Sequence, residues 1–207
     1  MGRGSGGTRS VDKSHGKKTS HKYDAKAVYE EYLEGGGYDM EKSWPESKKN
    51  AMDSLFKPSK ENMTLYRGGD ILEFESMLKE NGWNQKEINE LIKSQEVNKE
   101  IILKSNHYKS TSEYEEHALD YMNEVYDNIE YGWNAKAPVL FEYHVQKDTP
   151  IIKRKDIAST NARGGSGEVT IGRKNVEMRL EYVDYDYGRN GEIEYRVGFM
   201  VRPRKNK

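Results

Sequence analysis

The chain contains no cysteine. That excludes disulfides, a thiolate nucleophile and Cys-ligated zinc. Its five histidines are scattered and form no H-x-x-x-H pair, so no metal site is expected. No apolar run reaches the length of a membrane span or of a signal-peptide core. The expectation is a protein that works in the cytosol and makes no membrane contact. Net charge is small, −1 over 207 residues, so no global field draws the chain to nucleic acid. Apolar residues make up only 34% and charged residues 33%, which implies a thin core. The length suits one domain with at most an appendage. What is abundant is tyrosine, with 15 copies, whose rings suit core and cleft walls.

Residues 1–20 are Gly, Ser, Lys and Arg with almost nothing apolar. Such a segment buries too little surface to offset its ordering entropy and is expected to be a disordered basic tail. Residues 21–207 are then a single domain. A helical stripe of Ala27, Val28, Tyr29, Tyr32 and Leu33 precedes Gly35-Gly36-Gly37. A second helix is expected from Pro45, as first helical residue, to Phe56. Met63 to Gly69 reads as a strand, and Asp70 to about Lys104 as helix broken near Asn81-Gly82. Tyr108 to Ser112 reads as a strand entering a helix that carries Ala118, Leu119, Tyr121, Met122 and Val125. Strands are expected at Pro138–Val145, Ile151-Ile152, Glu168–Ile171, Val176–Tyr187 and Ile193–Val201. A largely helical first half before a strand-rich second half is the α+β class.

Three stretches carry chemistry. In Leu65-Tyr66-Arg67-Gly68-Gly69, Arg67 shares a strand face with Met63 and Leu65. Either it leaves the sheet at the strand's end, or it meets an anion, for which phosphate suits its bidentate fork. In Ser110-Thr111-Ser112, Ser112 is placed to cap the following helix, with Glu115 as capping-box partner. Capping accounts for one hydroxyl and leaves two. In Gly164-Gly165-Ser166-Gly167-Glu168-Val169-Thr170-Ile171, a Gly/Ser loop delivers one carboxylate to the head of a strand. That is either a turn with a solvated Glu168 at its rim or an acid held firm beside a loop that admits substrate.

In this order and spacing, Arg67, the Ser110-Thr111-Ser112 triplet and Glu168 resemble the Arg–Ser–Glu clan of mono-ADP-ribosyltransferases. The clan includes arginine-modifying toxins, exoenzymes that modify Rho GTPases, and bacteriophage transferases. The run Pro138-Val139-Leu140-Phe141-Glu142-Tyr143-His144-Val145, a turn, an Ile pair and then Glu168-Val169-Thr170-Ile171-Gly172-Arg173 is similar to the family's strand, turn and glutamate segment. The resemblance spans about Tyr23 to Arg202. It implies two small, roughly perpendicular sheets, antiparallel or mixed, with flanking helices and NAD in a central cleft. It implies NAD as substrate and no metal. By the resemblance Glu168 is the catalytic acid and Ser110 orients it. Arg67 and Gly68 take the NAD pyrophosphate and the close backbone approach. Thr111 and Ser112 secure the strand and the nicotinamide pocket. The resemblance also implies a monomer acting in a bacterial host, phage-encoded like some of the clan, on a protein in the first place or on RNA.

The clan's second acid, two residues before the catalytic one in arginine-modifying members and Gln in Rho-modifying ones, is replaced by Ser166. Ser166 is the candidate acceptor contact, but a hydroxyl is a poor base at neutral pH, so arginine as acceptor is in doubt. Water as acceptor would make the protein an NAD glycohydrolase. A reading from another class is a non-catalytic module whose basic ends engage nucleic acid or a virion partner.

Overall fold

A computed structural model describes residues 22–34, 38–132, 135–157, 167–188 and 191–204, with the backbone alone for 38–40. The basic tail 1–20, the glycine triplet 35–37, Ser166 with most of its loop, Arg189-Asn190 and 205–207 lie outside the described residues. Among the described residues the elements run α1 Ala25–Glu34, α2 Tyr38–Ser43, α3 Glu46–Asp53, β1 Lys57–Pro58, β2 Met63–Asp70, α4 Ile71–Glu80 and α5 Gln85–Ser94. They continue with β3 Ile101–Lys104, β4 Lys109–Ser112, α6 Glu115–Glu130, β5 Pro138–Val145, β6 Pro150–Lys153, β7 Glu168–Ile171, β8 Val176–Tyr187 and β9 Ile193–Pro203. A 3₁₀ turn, Arg154–Asp156, follows β6.

The nine strands hydrogen-bond in the order β1-β6-β7-β4-β2-β5-β9-β8-β3. All pairings are antiparallel except β5 with β9. The order contains a weak point. β4 meets β2 through the single register pair Tyr66↔Ser112, whereas β2 and β5 pair along all of Met63–Asp70. The strands therefore form a group of four (β1, β6, β7, β4) and a group of five (β2, β5, β9, β8, β3) sharing one bridge.

The larger core cluster lies under the five strands and takes in Ile151, Val169 and Ile171 of the four-strand group; a second cluster lies on the four-strand side. Under the five strands, Phe141, Tyr143 and Phe199 stack with centroids 5.5–6.5 Å apart, and Phe74 of α4 meets Phe199 edge-on at 6.3 Å. Ring pairs at these separations add to the burial gain. Leu78 of α4 and Ile88 of α5 are buried in the same cluster. On the four-strand side, Val28, Tyr29 and Tyr32 of α1 pack with Met52 of α3, Tyr108 and Ile152. Between the two, α6 lies on β2 and β5 through Ala118 and Met122, with Leu140 and Tyr66 completing the contact. That i, i+4 spacing, continued by buried Tyr126, is the face a helix presents to a sheet.

Several expectations are corrected. Pro45 is the N-cap of α3, with extended ψ, rather than its first helical residue. The stretch read as helix to Lys104 stops at Ser94, and Ile101–Lys104 is an edge strand paired with β8. Ser112 does not cap α6. Tyr114 stands at the N-cap and makes no side-chain cap bond, while Ser112 Oγ accepts from Tyr114 N at 3.0 Å. Of the apolar residues read on that helix, Leu119 and Tyr121 are exposed.

Candidate active site

The weak point between the strand groups is where the three sequence motifs meet. Register places Ser112 opposite Glu168 and Ser110 opposite Thr170, so both serines share a sheet face with the carboxylate. Ser110 Oγ donates to Glu168 Oε1 at 3.1 Å. Thr111, on the opposite face, is buried and donates to the Val169 carbonyl at 2.6 Å, tying β4 to β7. Beneath Glu168, the buried Tyr29 hydroxyl lies 3.4 Å from Thr170 Oγ1. Burial pushes that phenol's pKa well up and keeps it neutral.

Arg67 arrives from the other strand group. Its Nη1 donates to the Ser110 carbonyl at 3.0 Å, so one guanidinium bond crosses the weak point. Its other edge is held by Glu73, in the first turn of α4: Nε lies 3.3 Å from both carboxylate oxygens and Nη2 3.3 Å from Oε2. Lys109 Nζ approaches the same carboxylate at 3.5 Å. The Glu73 charge raises the Arg67 pKa further. Burial alone would push the Glu73 carboxyl up, but Arg67 and Lys109 outweigh it and hold it below the usual carboxylate range. For Lys109, burial wins and lowers its pKa. The anion expected for Arg67 is thus present within the chain.

A second arginine enters from the 3₁₀ turn. Arg154 Nη1 donates to Glu168 Oε2 at 2.7 Å, and its Nη2 lies 3.9 Å from Glu30 of α1. Both oxygens of Glu168 therefore have donors, one neutral and one charged.

These groups line a cleft of about 580 Å³, within the range of small-molecule sites. Tyr66, Arg67, Gly68, Ser110, Thr111, Ser112, Arg154 and Glu168 form one part of its wall; Tyr32 and Leu33 of α1 and His117, Ala118, Asp120, Tyr121 and Glu124 of α6 form the rest. Ser112 Oγ lies 3.2 Å from His117 Nδ1. Gly68 has a structural reason of its own: a Cβ there would collide with the Ala118 carbonyl oxygen and lie 2.8 Å from Tyr121 Cβ and 2.9 Å from Met122 N. The close approach read from Gly68 is, in this structure, that of α6. Among the described residues no cluster of His, Cys, Asp or Glu could hold a metal ion, and no helix is long and apolar enough to cross a membrane.

Of the candidates read from the sequence, Arg67, Gly68, Ser110, Thr111, Ser112 and Glu168 meet in one cleft, and Ser166 lies outside the described residues. Sequence reasoning misses Glu73 and Arg154. For Glu73 a signal exists: an arginine on an apolar strand face demands an anion, and Glu73 lies six residues on. Arg154 sits in Lys153-Arg154-Lys155, which reads as an ordinary solvated charge run.

No protein-family model matches the chain, and no curated protein matches it. Solved structures do. C3stau2 from S. aureus, in its structure with NAD, is 15% identical, with a TM-score of 0.58 over 89% of this chain and 90% of that one. C3larvin, an ADP-ribosyltransferase toxin from Paenibacillus larvae, is 16% identical, with a TM-score of 0.52 over 88% of each chain. The C3 exoenzyme of Clostridium limosum is 14% identical, with a TM-score of 0.53 over 88% of this chain and 86% of that one. At these identities the likeness shows the fold: the chain has the α+β fold of ADP-ribosyltransferase toxins.

Proposed function

We propose that the chain is an NAD-dependent mono-ADP-ribosyltransferase, with residues 21–207 acting as one monomeric catalytic unit. The observation that carries this reading is the Ser110–Glu168 hydrogen bond beside Arg67 in one cleft, on a fold shared with ADP-ribosyltransferases. NAD serves as substrate. The C1′–N bond between ribose and nicotinamide breaks, its electron pair leaves with nicotinamide, and the sugar gains oxocarbenium character as in glycoside cleavage. Glu168, oriented by Ser110, accepts a hydrogen bond from the ribose 2′-hydroxyl that strengthens as positive charge develops. Arg67 supplies a fixed guanidinium toward the diphosphate, steadied by Glu73. The acceptor attacks C1′ and loses a proton.

A host protein is the favoured acceptor, and RNA the second, with the bacterial cytosol as the setting of a phage-encoded enzyme. Serine at position 166 favours one further reading, the NAD glycohydrolase, in which water takes the acceptor's place. Incubating labelled NAD with the protein and a bacterial lysate, then digesting with protease and nuclease in parallel, separates these outcomes. Protease-sensitive label marks a protein acceptor, nuclease-sensitive label an RNA, and free nicotinamide without label a hydrolase. Glu168→Ala abolishes labelling; equal labelling by that variant overturns the assignment.

A further inference from the structure

We propose that Arg154 is a substrate-operated latch on Glu168: in the free chain it holds the carboxylate, and the substrate's diphosphate draws it away. This rests on the NAD reading above. The cleft wall carries two guanidinium groups, Arg67 and Arg154, against three carboxylates, Asp120, Glu124 and Glu168. A dianionic diphosphate entering this wall needs a cation that its present partner can release. Arg67 can face the diphosphate only from its place against Glu73, which it cannot leave without loss. Its partner Glu73 is 22% exposed and would keep only Lys109 at 3.5 Å, with nothing from the substrate to replace the guanidinium, at a cost of the kind that follows from breaking a buried pair.

Arg154 is also paired, with Glu30 3.9 Å away and a partner, Glu168, about as exposed as Glu73 at 23%; what differs is that the substrate brings Glu168 a replacement donor. The Arg154 side chain is 13% exposed and turned to the cleft, and among the described residues it makes one hydrogen bond, to Glu168, while its Nε is buried without a hydrogen-bond partner. A planar fork with unused donors suits a phosphate. Glu168 also tolerates the loss. It keeps the Ser110 hydroxyl and gains the ribose 2′-hydroxyl in place of the guanidinium. The exchange has a chemical consequence. A carboxylate paired with a cation at 2.7 Å stabilises a developing positive charge poorly, because its own charge is already compensated. Moving Arg154 to the diphosphate restores the full negative charge only when substrate is in place. In the empty cleft the acid is held in check.

The test uses calorimetric titration with ADP-ribose, which carries the diphosphate and has no bond to nicotinamide to break. Arg154→Gln is expected to weaken binding about tenfold or more, and Arg154→Lys, which keeps the charge and loses the fork, to fall between. Glu168→Gln is expected to tighten binding about fivefold, because it frees the latch. That gain disappears in the Arg154→Gln, Glu168→Gln double variant. Equal tightening in both backgrounds means simple charge repulsion and overturns the latch, as does unchanged binding by Arg154→Gln. Steady-state nicotinamide release adds a second readout, with the Arg154→Gln defect falling in KM; a defect confined to kcat overturns the proposal. A crystal structure of the wild-type chain with ADP-ribose needs no variant to fold: Arg154 is expected on the diphosphate, and Arg154 still paired with Glu168 refutes the exchange. A wild-type chain that binds neither ADP-ribose nor NAD sinks the NAD reading and the latch with it. Binding by wild type and Arg154→Gln alike sinks the latch alone.

Discussion

Replacing Glu73 by alanine removes the anion that holds Arg67 in place. Three nitrogen–oxygen contacts at 3.3 Å disappear, and the guanidinium keeps only the Ser110 carbonyl. Breaking a well-buried pair costs about 3–5 kcal/mol. These contacts are long and the side chains are 29% and 22% exposed, so roughly 2–4 kcal/mol is the better figure here. For a chain of this size that lowers Tm by about 5–15 °C. Glu73→Gln keeps the shape and one acceptor oxygen and falls between. The assay is thermal unfolding by circular dichroism, run as a double-mutant cycle with Arg67→Met. Alanine at 73 is expected to cost much less in the Arg67→Met background, with a coupling of about 1 kcal/mol or more. Coupling below about 0.5 kcal/mol refutes the pairing argument. The pH dependence gives an independent sign. The Glu73 carboxyl titrates below its ordinary value near 4.5 because Arg67 and Lys109 outweigh burial. A carboxyl depressed in the folded state contributes stability above its unfolded pKa and loses it as pH falls through the folded value. Wild type is therefore expected to lose more stability than Glu73→Gln as pH falls below the ordinary carboxyl value. Parallel losses in the two proteins refute the assignment.

Two further outcomes follow from the site's geometry. Ser110→Ala removes a hydrogen bond to a charged group, which is worth about 1.5–3 kcal/mol; nicotinamide release is expected to fall about 10–100-fold with Tm nearly unchanged. A wild-type rate in that variant, measured by nicotinamide release, rules out an orienting role for Ser110. Gly68→Ala drives a methyl group into the backbone of α6, and overpacking of this kind costs about 1–3 kcal/mol or more. A melting temperature within about 1 °C of wild type shows that α6 does not press on Gly68 as described.

How legible each element is in the sequence follows from how much of its signal is local. Pro138–Val145 and Val176–Tyr187 read with their correct ends, because large apolar residues recur along them with period two or without a break. Ile101–Lys104 reads as helix because four residues with two inward side chains carry no period, and only pairing with β8 decides the matter. The short helix Tyr38–Ser43 escapes notice because six residues cannot show a helical repeat. Ser112 has a capping residue's identity, yet the helix begins three residues later and the hydroxyl serves the turn instead. Glu168, Ser110 and Arg67 stand out because their order and surroundings form a pattern. Glu73 and Arg154 do not, since their partners are set by tertiary approach: a strand running straight into α4 in one case, and a turn folding 14 residues back on Glu168 in the other.

The lone Tyr66↔Ser112 bridge has a mechanical consequence. Arg67 rides on one slab of strands, Ser110 and Glu168 on the other, so the spacing between the guanidinium and the carboxylate depends on how the slabs are inclined. A repacked side chain deep beneath β5 or under α1 that tilts one slab shifts this spacing while every contact in the cleft wall stays chemically intact. Inactive variants with normal melting curves are therefore expected to map to positions far from the groove as well as to its lining.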